Sequence, residues 1–169
     1  MERMWSPWRS QYIDEFKVKK NNNECVFCNA VKENTENDKC LVVYRGKDIF
    51  TIMNLYPYNN GHLMVVPNRH ISAIKEITVE EFSEITKQIT LATEALTKLF
   101  SPQGFNIGAN IGKAAGAGID SHIHFHVIPR WNGDTNFMPV IGETKIISHE
   151  LFNTKNRLIK IYNENSKEF

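Results

Sequence analysis

The densest chemistry in the chain lies just ahead of Pro129, where His122-Ile123-His124-Phe125-His126-Val127 alternates imidazole and apolar side chains without a break. On an extended strand, alternate residues face opposite sides. His122, His124 and His126 then share one face, while Ile123, Phe125 and Val127 turn toward a core. An imidazole near neutral pH can ligate a metal, attack an electrophile or hand over a proton. Same-face neighbours are about 6.6 Å apart, so His122 and His126 are separated by about 13 Å at Cα. Zinc–nitrogen bonds are only about 2.1 Å long, so three imidazoles over that span do not easily share one ion, whereas two can. The segment therefore reads as a metal site, a nucleophile, or both. The plain alternative is a solvent-facing strand that happens to carry histidines, and the strict register argues against it.

A second candidate lies far upstream. Cys25-Val26-Phe27-Cys28 has the spacing with which two thiolates chelate one zinc. A redox pair or two buried thiols share that spacing, although no thioredoxin-like β-α pattern surrounds it. Cys40 has no evident partner and reads as a buried thiol. An odd cysteine count fits a reducing compartment. The N-terminus lacks a signal-peptide core, and no apolar run approaches the roughly 20 residues needed to span a bilayer. A cytoplasmic protein with no membrane partner is expected. Twenty basic against nineteen acidic side chains leave a net charge of +1, so no broad positive field exists to hold nucleic acid. A local phosphate site needs only a few directed donors and remains open.

These residues need elements to position them. At 169 residues the chain fits one domain, 1–169. Residues 1–40 are polar and broken, a loop-rich arm that includes the Trp5-Ser6-Pro7-Trp8-Arg9 segment, Lys19–Asn23 and the cysteine pair. Residues 41–131 form the core. Leu41–Arg45 and Asp48–Met53 flank a Gly46-Lys47 turn, a hairpin signal. Tyr56–Gly61 is turn chemistry, and His62–Val66 is a further strand stopped by Pro67. Thr78 with Val79-Glu80-Glu81 marks a helix start. Phe82, Ile85, Ile89, Ala92, Leu96 and Leu99 recur at helical spacing, to an end near Phe100. Phe105–Ala109 and Ile123–Ile128 read as two more strands around the glycine-rich stretch Gly112–Gly118. Residues 132–169 form an extension with a helix over His149–Asn163, whose apolar side is Leu151, Leu158 and Ile161. Strands that adjoin in sequence, with helices between groups, predict an α+β domain with an antiparallel sheet of about five strands, one long helix and one C-terminal helix.

The spacing His-φ-His-φ-His-φ-φ resembles the signature of the histidine triad superfamily of nucleotide hydrolases and transferases. Asn54, then Gly61-His62-Leu63-Met64-Val65-Val66-Pro67, then Asn110 two residues before Gly112, resemble further family segments in the family's order. The resemblance covers about Cys25 to Trp131. The Trp5–Arg9 start and Pro129-Arg130-Trp131-Asn132-Gly133-Asp134-Thr135-Asn136-Phe137 are similar, more narrowly, to a bacterial branch of diadenosine polyphosphate phosphorylases.

That resemblance implies a histidine-triad fold and assigns roles. His124, the middle histidine, would attack the α-phosphorus and carry a nucleotidyl intermediate, its other ring nitrogen held by a backbone carbonyl. His126 would donate to the phosphate oxygens. Backbone groups of the Gly112–Gly118 loop, Gly116 and Gly118 among them, would cradle those oxygens. Asn110 would contact the phosphate and Asn54 the ribose; a role as turn residues only is the plainer alternative for both. Trp131 would stack on a base or else pack in the core. Family hydrolases commonly carry glutamine four residues before the first triad histidine; here that position is Gly118, which suits phosphate as acceptor better than a lone water. The implied reaction is diadenosine tetraphosphate plus inorganic phosphate giving ATP and ADP. A hydrolase of the same family and a non-catalytic nucleotide-binding protein are the alternatives. Members with the N-terminal cysteine pair often complete a zinc site with two histidines, here His70 and His122, giving a closed, structural Cys25, Cys28, His70, His122 set. Family members commonly form homodimers. His62 is expected to pack beside its strand, and His149 to lie on the surface.

Overall fold

The computed structural model describes residues 25–33, 40–135 and 147–165. The Trp5–Arg9 arm, Lys19–Asn23 and Asn136-Phe137 lie outside them. β1 (Val42–Arg45) and β2 (Ile49–Met53) form the expected antiparallel hairpin, closed where Gly46 N–H donates to Ile49 O at 2.8 Å. β2 pairs with β3 (Leu63–Pro67). Gly61 makes the entry to β3 possible. Its φ is +74°, and a Cβ there would come within 2.7 Å of Leu96, so only glycine makes this turn without strain.

The sheet is completed by β4 (Gly104–Gly108) and β5 (Phe125–Arg130), in the order β1-β2-β3-β5-β4, antiparallel throughout. β5 starts at Phe125, two residues later than the alternation suggests. His122 and His124 lie ahead of the ladder, and only His126 is a strand residue, paired with Met64 and Gly108.

The first forty residues are less irregular than expected, because a short helix, α1 (Val26–Lys32), opens at Cys25. α2 (Val79–Phe100) starts with a capping box in which Glu81 N–H donates to Thr78 Oγ1 at 3.2 Å and Thr78 N–H to Glu81 Oε2 at 2.9 Å. Arg69 adds two bonds of 2.7 Å to the same carboxylate. Chiefly through that guanidinium, the Glu81 carboxyl is lowered to about 2. The buried side of α2 is rotated from the expected stripe. Gln88, Leu91 and Ala95 join Ile85, Ala92 and Leu96 inside, while Phe82 is 50% exposed. Gln88 is tolerated there because it accepts from Thr51 Oγ1 at 3.3 Å. α3 (Leu151–Asn165) begins two residues late but buries Leu158 and Ile161 as expected.

Both long helices cover one sheet face. Ile49, Leu63, Val65 and Val127 meet Ile85, Leu96, Leu158 and Tyr162 there. The other face carries a smaller core in which Phe27 and Ala30 of α1 pack on Val42, Phe50, Met64 and Val66. His62 and His126 belong to that second face by strand parity, beside Met64. Among the described residues, no helix is long and apolar enough to cross a membrane.

Candidate active site and metal centre

His122, His124 and His126 are all buried, as is His62. His124 Nδ1–H donates to the carbonyl of His122 at 3.0 Å, which leaves Nε2 with its lone pair. The ring lies 4.9 Å from that of His126, edge to face. Burial lowers the pKa of His124 below the usual histidine value. A neutral, tautomer-fixed imidazole is competent to attack an electrophile at neutral pH.

The proton on His126 is set by a chain that the sequence did not reveal. Tyr58 N–H donates to His62 Nδ1 at 3.1 Å, and Asn54 Nδ2 approaches the same nitrogen at 3.3 Å. With Nδ1 accepting, His62 carries its hydrogen on Nε2 and donates it to His126 Nδ1 at 2.9 Å. His126 must then carry its own hydrogen on Nε2. Asn110 Nδ2 lies 3.4 Å from that nitrogen. Two donors side by side cannot satisfy each other, and together they suit an oxyanion. Burial, and the His124 charge after it, lowers the pKa of His126 to about 4. His62 is held well below its usual value by burial and by His126 and His124.

His62 is therefore part of the site and does not merely pack beside its strand. Its signal was parity: it shares a face with Met64, but that β3 neighbours the histidine strand is not legible from one sequence. Asn54 turns inward, accepting from Tyr56 N–H at 2.9 Å while its amide faces His62. Asn110 stands beside His126. In the Gly112–Gly118 loop, Ala115 N–H and Ala117 N–H donate to Gly112 O, and Gly116 N–H to Lys113 O. Those amides fold the loop, with Gly112 at φ +77° and Gly116 at φ +88°, and Gly118 is exposed beyond them. Trp131 is not brought to His124. It follows the last residue of β5, packs edge-on to Phe100 with centroids 6.4 Å apart, and helps line a cavity of about 320 Å³ with Gln103, Phe105, Asn106 and Arg130. The Pro129–Asp134 turn is fastened by Asp134, which accepts from Arg130, Trp131 N–H and Asn59. His149 is exposed and stacks on Phe100, and Cys40 is buried.

Cys25, Cys28, His70 and His122 converge so that their ligand atoms all lie within 4.8 Å of one another. Cys25 Sγ and Cys28 Sγ are 3.3 and 3.7 Å from His122 Nδ1, and Cys28 Sγ is 3.3 Å from His70 Nδ1. Ordinary zinc bond lengths in a tetrahedron place sulfur and nitrogen ligands about 3.6 Å apart, so the donor set fits a metal ion. His122 Nε2–H is bound to Pro67 O at 2.9 Å, which presents Nδ1 as the ligand atom. Burial, with the Cys25 charge after it, raises the pKa of the Cys28 thiol, a penalty that a divalent cation relieves. One helical turn brings the two sulfurs together, since Cys25 caps α1 and Cys28 lies in its first turn.

Known proteins match this sequence and this fold. The HIT domain model matches residues 34–133. A protein named AP-4-A phosphorylase from Mycobacterium tuberculosis is 39% identical over 163 residues, covering 94% of this chain and 83% of that one. A bis(5'-nucleosyl)-tetraphosphatase [asymmetrical] from Schizosaccharomyces pombe is 30% identical over 121 residues, covering 72% of this chain and 63% of that one. A crystal structure described as a Zn-bound histidine triad family protein from Mycobacterium smegmatis shares the fold with a TM-score of 0.67, at 24% identity over 86% of this chain and 98% of that one. With the family model spanning more than half of its length, and a buried trio of histidines facing one side of an antiparallel sheet, this chain belongs to the HIT domain family.

Proposed function

We propose that this protein cleaves dinucleoside polyphosphates, diadenosine tetraphosphate above all, by phosphorolysis through a nucleotidyl group on His124. The observation that carries the reading is the His124 imidazole, whose Nδ1–H is tied to the His122 carbonyl while His126 and Asn110 present donors beside it. The name of the Mycobacterium tuberculosis relative supports the substrate. His124 Nε2 attacks the α-phosphorus, a P–N bond forms, and the P–O bond to the remaining phosphates breaks, releasing ATP. An oxygen of inorganic phosphate then attacks the same phosphorus, the P–N bond breaks, and ADP leaves. His126 Nε2–H and Asn110 stabilise the oxygens on which charge builds. Gly116 and Gly118 shape the loop over those oxygens, Asn54 serves the site by orienting His62, and Trp131 is kept for a base only at the far end of β5.

Gly118 favours phosphate as acceptor, because it leaves room where a glutamine amide would otherwise stand. Hydrolysis is the second reading, favoured by the name of the Schizosaccharomyces pombe relative. Cys25, Cys28, His70 and His122 would hold zinc, closed to substrate and structural in role. Residues 1–169 act as one domain in the cytoplasm, where the free cysteines stay reduced. The protein works as a homodimer, with the outer edge of β4, which pairs with no further strand among the described residues, and the half-exposed Ile107 facing a second copy.

The test is incubation of protein of known solution mass with diadenosine tetraphosphate, with and without inorganic phosphate. ADP and ATP should appear only when phosphate is present, and the mass should be that of two chains. AMP plus ATP in the absence of phosphate would replace phosphorolysis with hydrolysis.

A further inference from the structure

Two paths lead from the Cys₂His₂ cluster to His124. The first is the backbone. His122 turns its Nδ1 to the cluster, while its own carbonyl accepts His124 Nδ1–H at 3.0 Å. His122 Nε2–H is fastened to Pro67 O at 2.9 Å, and Ile123 N–H to Ile71 O at 2.7 Å. The segment from 67 to 71 thus straps down residues 122 and 123, and it also carries the ligand His70. One residue, His122, joins the metal site on its side chain to the His124 tautomer on its backbone.

The second path is aromatic. Phe27 lies between the two ligand cysteines and is only 2% exposed. Its ring centroid is 4.9 Å from that of His124 and 5.4 Å from that of His122. α1, which delivers it, has seven residues, too few to hold a helix on propensity alone. Arg45 fastens its far end, donating to the carbonyls of Ala30, Val31 and Glu33. The near end, with Phe27 in its first turn, is where the cysteines sit.

We propose that the metal centre sets the pose of His124: an ion held by Cys25, Cys28, His70 and His122 fixes the His122 carbonyl and the Phe27 ring, which together hold the imidazole with Nε2 toward the phosphate. Phe27 is a positioning residue in this arrangement. The inference rests on His124 as the attacking group. It goes beyond a structural clip, because a clip acts only through the fraction of folded protein. Small displacements at a reacting atom are costly; about 1 Å can lower a rate by about 10²-fold.

The experiment compares the zinc-loaded full chain, the same chain stripped by chelator, and Phe27→Leu, all at a temperature where circular dichroism reports them folded. Zinc content, kcat and KM for diadenosine tetraphosphate, and the ring ¹⁵N shifts of His124 are recorded. Phe27→Leu should retain its zinc and lose about tenfold in kcat with KM changed by less than about twofold. The stripped wild type should show His124 shifts moving from one Nδ1–H tautomer to a mixture. Unchanged kcat in Phe27→Leu together with unchanged His124 shifts on stripping would overturn the proposal. Should Phe27→Leu fail to fold or to hold zinc, the stripped wild type decides alone, by the shifts of His124. If the loaded wild type does not act on the dinucleotide, the functional reading fails, and the ring shifts still report whether metal and His124 are coupled.

Discussion

At the scale of single residues, the site works by fixing where hydrogens sit. His124 and His126 are chemically alike, and they differ in which ring nitrogen is occupied. A carbonyl holds Nδ1–H of His124, whereas an imidazole donor faces Nδ1 of His126. One therefore exposes a lone pair and the other an N–H. His62 is the residue that makes them different, and its own tautomer follows from two donors, Tyr58 N–H and Asn54 Nδ2. We predict that His62→Ala lowers kcat for dinucleotide cleavage by at least about tenfold, or about 1.4 kcal/mol, with little change in KM. His62→Gln, whose amide can still donate, should fall less. Steady-state kinetics at pH 7 checks this, and a kcat equal to that of the wild type in His62→Ala would remove His62 from the proton chain. The triad itself was legible from alternation, and the division of labour proposed for it rests on the family resemblance. The part played by His62 was not, because it depends on a strand neighbour 64 residues away.

At the scale of elements, the readable pieces are those whose signals are local. The Thr78–Glu81 capping box marked the start of α2, and the glycine turn marked the β1–β2 hairpin. α1 was missed because seven residues are too few to show a period, and because its stabilisers are distant. Phe27 and Ala30 bury against Phe50 and Val66, and Arg45 on β1 caps its carbonyls. The start of β5 was placed early for a related reason. His122 and His124 alternate like strand residues, yet the backbone N–H between them, that of Ile123, goes to Ile71 O at 2.7 Å, outside the sheet. Arg45 offers the clearest element-scale test. Three bonds from one guanidinium to helix-end carbonyls, half screened by solvent, are together worth about 2 kcal/mol. Arg45→Ala should lower the melting temperature by about 4–8 °C in a chain of this size, with zinc still bound at the other end of α1. A melting temperature within about 1 °C of wild type, measured by calorimetry, would show that α1 is held by its apolar face and its cysteines alone.

At the scale of the molecule, one face of the sheet is an ordinary hydrocarbon core under two helices, and the other buries four histidines. That second face makes stability depend on pH, with a definite sign. His126 is lowered to about 4, and His62, His122 and His124 are lowered as well, each chiefly by burial. Well above about pH 6.5 these groups are neutral in both the folded and the unfolded chain, and they contribute no slope. As pH falls from 6.5 toward 4, the unfolded chain binds protons that the folded chain refuses, so folding loses free energy across that window. His126 alone accounts for about 3 kcal/mol between its ordinary value and about 4, an order-of-magnitude figure. Unfolding in urea between pH 7.5 and 4.5 should therefore show stability falling steadily on the acid side in the wild type. The fall should be shallower in His126→Asn, which has nothing to titrate at that position. Repeating both series on metal-stripped protein removes the share due to ligand protonation. Parallel curves for wild type and His126→Asn in the stripped series would mean that the folded chain protonates His126 as readily as the unfolded chain does, which is incompatible with a buried Nδ1 already occupied by the hydrogen bond from His62.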